Sequence, residues 1–178
     1  MKDIRIGIVG GGYMGKAHAV AYAAVASVFD LKVRPVLEMV CGSSQASAEK
    51  YRSSYGFSRA TSDWRVLVTD PQVDAVVIAT PQKFHRAIAE TAFKFGKPVF
   101  CEKPLGASLE DSRAMLLAAS TAGAINMVGF NYIRTPASQY VRKLVSNNRI
   151  GDVTWFRGAH TEDFLADPMS PAQWRGRG

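Results

Sequence analysis

Short apolar runs alternate along the chain with longer stretches in which apolar residues return every three or four positions. The runs at residues 4–9, 36–41, 75–79, 99–101, 125–129 and 153–159 are mostly rich in Val and Ile and lack a clean polar alternation. Such runs predict strands covered on both faces, as in parallel sheets. The stretches at 14–29, 44–55, 64–68, 84–95, 109–122 and 137–147 carry the longer period and predict helices. Strand and helix alternate, which specifies an α/β protein built on a doubly wound parallel sheet. The punctuation agrees with these bounds. Ser108 stands before the helix at 109–122 with Asp111 three positions on, an acidic variant of a capping box, and Gly96 and Gly123 follow helices where a left-handed residue is needed.

Composition narrows the class. With 178 residues, 47% of them hydrophobic, the chain can bury one full core and begin a second. The longest weakly polar stretch, 17–29, is shorter than the roughly 20 apolar residues a membrane span needs, and it lies behind a strand and a glycine-rich turn, too deep for a usual secretory leader. The expectation is a cytoplasmic protein with no membrane partner. The net charge of +7 comes from 22 scattered Lys and Arg residues, with no run of five and no helix-turn-helix or zinc-finger spacing, so no nucleic-acid partner is expected. Cys41 and Cys101 close apolar runs without metal-ligand spacing and read as reduced core thiols, leaving no metal site.

The first chemical signal is IRIGIVGGGYMGKAH, in which Gly10, Gly12 and Gly15 fit G-x-G-x-x-G directly after a strand and at the opening of a helix. The first glycine permits the tight turn, the second lets backbone approach a pyrophosphate, and the third lets the helix pack closely on the strand. Tyr13 and Met14 belong to the same cofactor-facing turn. The free N–H groups of the helix end favour the phosphates by about 0.3–1 kcal/mol when exposed and up to about 2 kcal/mol when partly buried. A Rossmann unit of this kind places an acid at the end of its second strand for the adenosine ribose, but here the position falls on Gly42 or Ser43. Glu38 lies inside that strand and is assigned a packing or ion-paired role. The cofactor is therefore NAD or NADP, and the hydroxyls of Ser43 and Ser44 tilt the reading toward NADP.

The segment DAVVIATPQKFHRAIAETAFKFGKPVFCEKPLG carries the second signal. The carboxyl ends of the strands face the ligand crevice in a doubly wound sheet, so Thr80, Pro81, Glu102 and Lys103 gather beside the dinucleotide. An acid and a base thus end an apolar run because they stand at the crevice.

Together, GGGYMGKAH, ATPQKFH, CEKPLG and VGFNYIRTPA, in this order, resemble the Gfo/Idh/MocA oxidoreductases, and the likeness extends over essentially the whole chain. The resemblance implies hydride transfer between a nicotinamide cofactor and a hydroxyl carbon of a polyol, cyclitol or sugar. It makes Lys103 the catalytic residue, holding the substrate hydroxyl and helping to move its proton. Glu102 and Pro104 shape the cofactor-facing turn, Thr80, Pro81 and His85 line the nicotinamide side, and Asn131 and Arg134 approach the substrate, Asn131 next to the cofactor. Duller readings stand beside these: a solvated Lys103, a capping His85, an Arg134 paired with a surface acid, and a His18 that packs or bonds locally.

One departure matters. The family's second domain carries an Asp-x-x-x-His motif, whereas the residues four before His18, His85 and His160 are Met14, Pro81 and Phe156. Residues 1–125 are thus expected to form the dinucleotide-binding domain. Residues 126–178 are expected to form only the start of an α+β substrate and oligomerisation domain, as in a truncated family member, with 153–159 a lone strand. In the family that domain's sheet commonly makes subunit contacts, so a homo-oligomer is within the implications. The runner-up function is a dinucleotide-binding module without turnover of its own.

Overall fold

The computed structural model describes residues 1–161, 167 and 169. In chain order the elements are β1 (Lys2–Val9), α1 (Tyr13–Val28), β2 (Val33–Cys41), α2 (Gln45–Tyr55), β3 (Arg59–Thr61), α3 (Trp64–Thr69), β4 (Ala75–Ile78), α4 (His85–Lys94), β5 (Val99–Cys101), α5 (Leu109–Ala122), β6 (Asn126–Val128) and α6 (Pro136–Ser146). The six strands are all parallel and lie in the order β3-β2-β1-β4-β5-β6. Chain order therefore reverses direction between β1 and β4, and loops leaving these neighbouring strands part to opposite sides of the sheet. Such a switch point opens a crevice at the carboxyl ends.

Alternation along the buried strands divides the core in two. Val76 and Ile78 pack with Leu67, Ile88 and Met115 from α3, α4 and α5, while Ile6, Ile8, Leu37 and Val77 pack on the other face with Ala19 of α1 and Tyr51 and Tyr55 of α2. Local chemistry sets the helix ends. The Ser44 hydroxyl accepts from the Ser47 amide to open α2, the Ser108 hydroxyl accepts from the Asp111 amide to open α5, and Gly123 closes α5 at φ +57°. Cys41 and Cys101 are free, buried thiols, and burial pushes them up to about 11 and about 12 respectively, so both stay protonated and unreactive.

Two expectations are corrected. The strand β3 was not expected, because three half-buried residues carry no readable period; it forms through parallel pairing with β2 and through Arg59, which meets Glu38 at 2.7 Å and Asp70 at 2.6 Å. The ion-paired role expected for Glu38 is thereby met. The strand expected at 153–159 is absent: the segment is exposed and makes no ladder, and a strand without a neighbour has no partners for its backbone. The chain divides into two compact units, Met1–Asn131 and Tyr132–Gly178. The second contains α6, opened by Thr135, whose hydroxyl accepts from the Ser138 amide. Of the run at 151–175, which resembles the entrance to the family's second domain, residues 162–166, 168 and 170–175 lie outside the described residues. No helix among the described residues is long and apolar enough to cross a membrane.

The amino ends of the strands are closed by polar pairing. Arg5 donates to both carboxylate oxygens of Asp74, at 2.7 and 2.9 Å, and its backbone amide adds a third bond at 2.7 Å. Buried Lys97 donates to the carbonyls of Asp70 and Val73 at 2.6 and 2.5 Å, and burial lowers its pKa. The Arg5 side chain holds the Asp74 carboxyl down to about 2, against an ordinary value of 3.8. A carboxyl depressed in the folded state contributes stability that is complete above its unfolded value and lost as pH falls through its folded value. An Asp74→Asn variant should melt below the parent at neutral pH, and the gap in thermal midpoint should close as pH falls from 3.8 to about 2.

Candidate functional site

At the end of β1 the chain turns on Gly10 at φ +99°, and a Cβ there would stand 2.5 Å from the carbonyl oxygen of Ala79. Gly15, one turn into α1, lies so close to the turn that a Cβ would come within 1.9 Å of the Gly10 carbonyl oxygen. Backbone meets backbone, and no side-chain adjustment makes room. A side chain on Gly11 would strike the ring of Tyr51, whose neighbour Tyr55 donates from its hydroxyl to the Gly11 carbonyl at 3.0 Å.

Gly12 differs from these. It is the N-cap of α1, no side chain caps the helix, the first turn holds no acidic residue, and a Cβ at Gly12 would meet nothing within 4 Å. The helix thus presents uncapped amides to open space in front of the β1 and β4 ends, an arrangement that suits an anion. Tyr13 is exposed beside it and Met14 half-buried. At the end of β2, Ser43 is exposed, whereas the Ser44 hydroxyl is committed to the capping of α2.

The turns after β4 and β5 are tied to each other. His85 is 1% exposed, its Nε2 lies 2.8 Å from the Thr80 carbonyl oxygen, and its Nδ1 lies 3.1 Å from the carbonyl oxygens of both Pro104 and Leu105. It faces the protein and braces the two turns from behind. The Thr80 hydroxyl is buried and has no hydrogen-bond partner among the described residues, while Pro81 is exposed.

The adjacent acid and base part company. Glu102 is 6% exposed, and its Oε1 accepts from His18 Nε2 at 2.8 Å. Its Oε2 accepts from the Lys103 amide at 3.3 Å. Lys103 is exposed, and its ammonium has no hydrogen-bond or ion-pair partner among the described residues. The Lys103–Pro104 peptide bond is cis, and Pro104 is exposed. Of the packing or local bonding expected for His18, the packing is present, against Tyr22 and Phe100, but the hydrogen bond goes to a partner 84 positions away in the chain. The sequence held a signal for this. Gly15, His18, Ala19 and Tyr22 are the residues of α1 at i, i+3, i+4 and i+7, the stripe that faces a sheet. Exposed Asn131 ends the first unit two residues after Gly129, whose backbone abuts Glu102, and Arg134 lies in the second unit.

The family profile described as "Oxidoreductase family, NAD-binding Rossmann fold" matches residues 4–130. The chain belongs to the Gfo/Idh/MocA oxidoreductase family. Among curated members it is 40% identical over 176 residues to levoglucosan dehydrogenase of Pseudarthrobacter phenanthrenivorans, covering 98% of this chain and 45% of that one. It is 37% identical over 150 residues to inositol 2-dehydrogenase of Rhizobium meliloti, covering 84% of this chain and 43% of that one. Among solved structures, levoglucosan dehydrogenase in complex with NADH and levoglucosan superposes with a TM-score of 0.94 at 40% identity, covering 98% of this chain and 47% of that chain. The chain thus spans somewhat under half the length of these relatives.

The Gfo/Idh/MocA residues present here fit a dinucleotide. Open space at Gly12 before uncapped amides suits the pyrophosphate, and the orphaned Thr80 hydroxyl offers a polar contact at the β4 end. Because Gly12 sits at φ −68° with free space around it, a side chain there leaves the fold intact and enters the open space before the α1 amides. A Gly12→Asp variant should keep the parent's thermal midpoint, since Asp is a good N-cap, and should bind NADH about tenfold or more weakly by fluorescence titration, because its charge opposes the pyrophosphate.

Proposed function

We propose that this protein supplies the cofactor-binding part and the active-site lysine of an NAD(P)-dependent dehydrogenase that oxidises a hydroxyl carbon of a polyol, cyclitol or sugar. The observation that carries this reading is the pairing, at one pole of the sheet, of an anion-ready helix end with an exposed lysine that no carboxylate among the described residues neutralises. The relatives named for levoglucosan and inositol support the substrate class.

In this reading the amides of Gly12, Tyr13 and Met14 hold the pyrophosphate, Ser43 stands by the adenosine ribose, and Thr80 and Pro81 border the nicotinamide. A bound nicotinamide supplies the hydride chemistry. Lys103 donates from its ammonium to the substrate hydroxyl oxygen, which orients that hydroxyl and stabilises the negative charge that develops there as its proton passes to solvent, a role that typically contributes about 10²–10³-fold in rate. Glu102, His85 and Pro104 keep the turn in place, and Asn131 stands next to the cofactor. Ser43, in place of an acid, leaves no carboxylate to repel a 2′-phosphate, which favours acceptance of NADP beside NAD.

The alternative of a binding module without turnover draws on the missing Asp-x-x-x-His motif. Fluorescence titration with NADH and NADPH, followed by absorbance assays against a panel of polyols, cyclitols and sugars, separates the two. Turnover supports the dehydrogenase; binding without turnover supports the module; failure to bind either nucleotide contradicts both. Lys103→Ala should lower turnover by about 100-fold or more while nucleotide affinity stays within about threefold, and equal loss of both would overturn the role given to the lysine.

A further inference from the structure

Glu102 is a buried carboxylate at the mouth of an otherwise apolar strand end, where burial without partners is costly. Three elements receive it. The His18 ring on α1 donates to Oε1 at 2.8 Å, the Lys103 amide donates to Oε2 at 3.3 Å, and the Gly129 backbone closes the third side so tightly that a Cβ there would lie 3.0 Å from Oε1. The strand holds the residue from behind, with the Glu102 amide donating to the Ile78 carbonyl at 2.9 Å and the Gly129 amide to the Cys101 carbonyl at 2.8 Å. The His18 ring is itself fixed, edge-on to Phe100 at 4.9 Å between centroids.

Stability alone accounts poorly for this arrangement, because replacing both partners of a buried hydrogen-bonded pair by well-packed apolar residues is commonly near neutral. Its place in the molecule suggests a purpose. The pair joins the helix whose first turn faces the phosphates to the backbone of the one exposed lysine at the end of β5. It also answers an electrostatic problem. Glu102 and Lys103 are neighbours of opposite charge, and a carboxylate left free would take the Lys103 ammonium as its counterion. With both oxygens claimed, that ammonium stays unpaired among the described residues.

We propose that His18 is a positioning residue for Lys103: its ring holds the Glu102 carboxylate, which fixes the Lys103 amide and leaves the Lys103 ammonium free to face a bound dinucleotide. This deepens the proposed function and rests on it. His18 touches neither cofactor nor substrate in this account and acts only through Glu102.

The test follows the lysine directly in the full chain. Lysines are reductively ¹³C-methylated, which keeps their charge, the Lys103 signal is assigned by its absence in Lys103→Arg, and NADH is titrated. In the parent and in His18→Gln, whose amide restores a donor, the Lys103 signal should shift on saturation with NADH. In His18→Leu, and in Gly129→Ala, which displaces the carboxylate while leaving His18 in place, NADH should bind within about threefold of the parent but the shift should be lost. If His18→Leu does not fold, Gly129→Ala decides alone. An unchanged Lys103 shift in the folded variants would overturn the proposal, and so would loss of NADH affinity, which would place the pair in the binding site itself. No NADH binding to the parent would instead overturn the proposed function, and the proposal with it.

Discussion

The contact between Gly15 and the Gly10 carbonyl fixes everything at the carboxyl pole of the sheet. No methyl group fits between these two pieces of backbone. Their approach sets the start of α1 directly over the end of β1, and since β4 lies next to β1, the helix end also overlooks the turn at Thr80. A looser turn would tilt α1 away and carry His18 with it. The glycine motif thus does two things at once: it leaves Gly12 open to a ligand, and it places the next turn of the helix where His18 reaches Glu102.

The two poles of the sheet use polar groups in opposite ways. At the amino ends the cations are paired: Arg5 with Asp74, Arg59 with Glu38 and Asp70, though one of its terminal nitrogens is buried without a partner among the described residues, and Lys97 with two backbone carbonyls. At the carboxyl ends, groups are left over among the described residues: uncapped amides at Gly12, an unpartnered Thr80 hydroxyl and an unpaired Lys103. A fold held together at one end by ion pairs and presenting an unpaired cation and uncapped amides at the other has a braced frame and an open polar face. Pairing is plentiful at the carboxyl pole as well, but it is directed inward. His85 and the His18–Glu102 pair join turns to each other, so that the unsatisfied groups are presented on a rigid surface.

Local pattern made much of this legible. The Val- and Ile-rich runs located five of the six strands, and Ser108, Gly96 and Gly123 marked helix ends by chemistry that acts within three or four residues; the Ser44 hydroxyl, read as a cofactor contact, caps α2 instead. Strand polarity predicts an acid and a base facing a crevice after β5; Lys103 is exposed there, whereas Glu102 is buried against His18. Contacts between distant turns were not legible. His18 finds its partner 84 positions on, and His85 turns inward to carbonyls 19 and 20 positions on. Helical periodicity puts His18 on the stripe of α1 that faces the sheet, but it names neither partner. For β3 the reason is different: its three residues are held by pairing with β2 and by one arginine, and such a segment has too few positions to show any alternation. The run at 153–159 has the residues of a strand, but a strand also needs a neighbour.

The central claim is that one crevice holds a dinucleotide against the α1 end with its nicotinamide at Lys103. A crystal structure of the protein with bound NADH tests this most directly. The account predicts the pyrophosphate within hydrogen-bonding distance of the Gly12–Met14 amides and the nicotinamide ring beside the Lys103 side chain. A nicotinamide lying instead toward β2 and Ser43, or a dinucleotide bound away from Gly12, would contradict it.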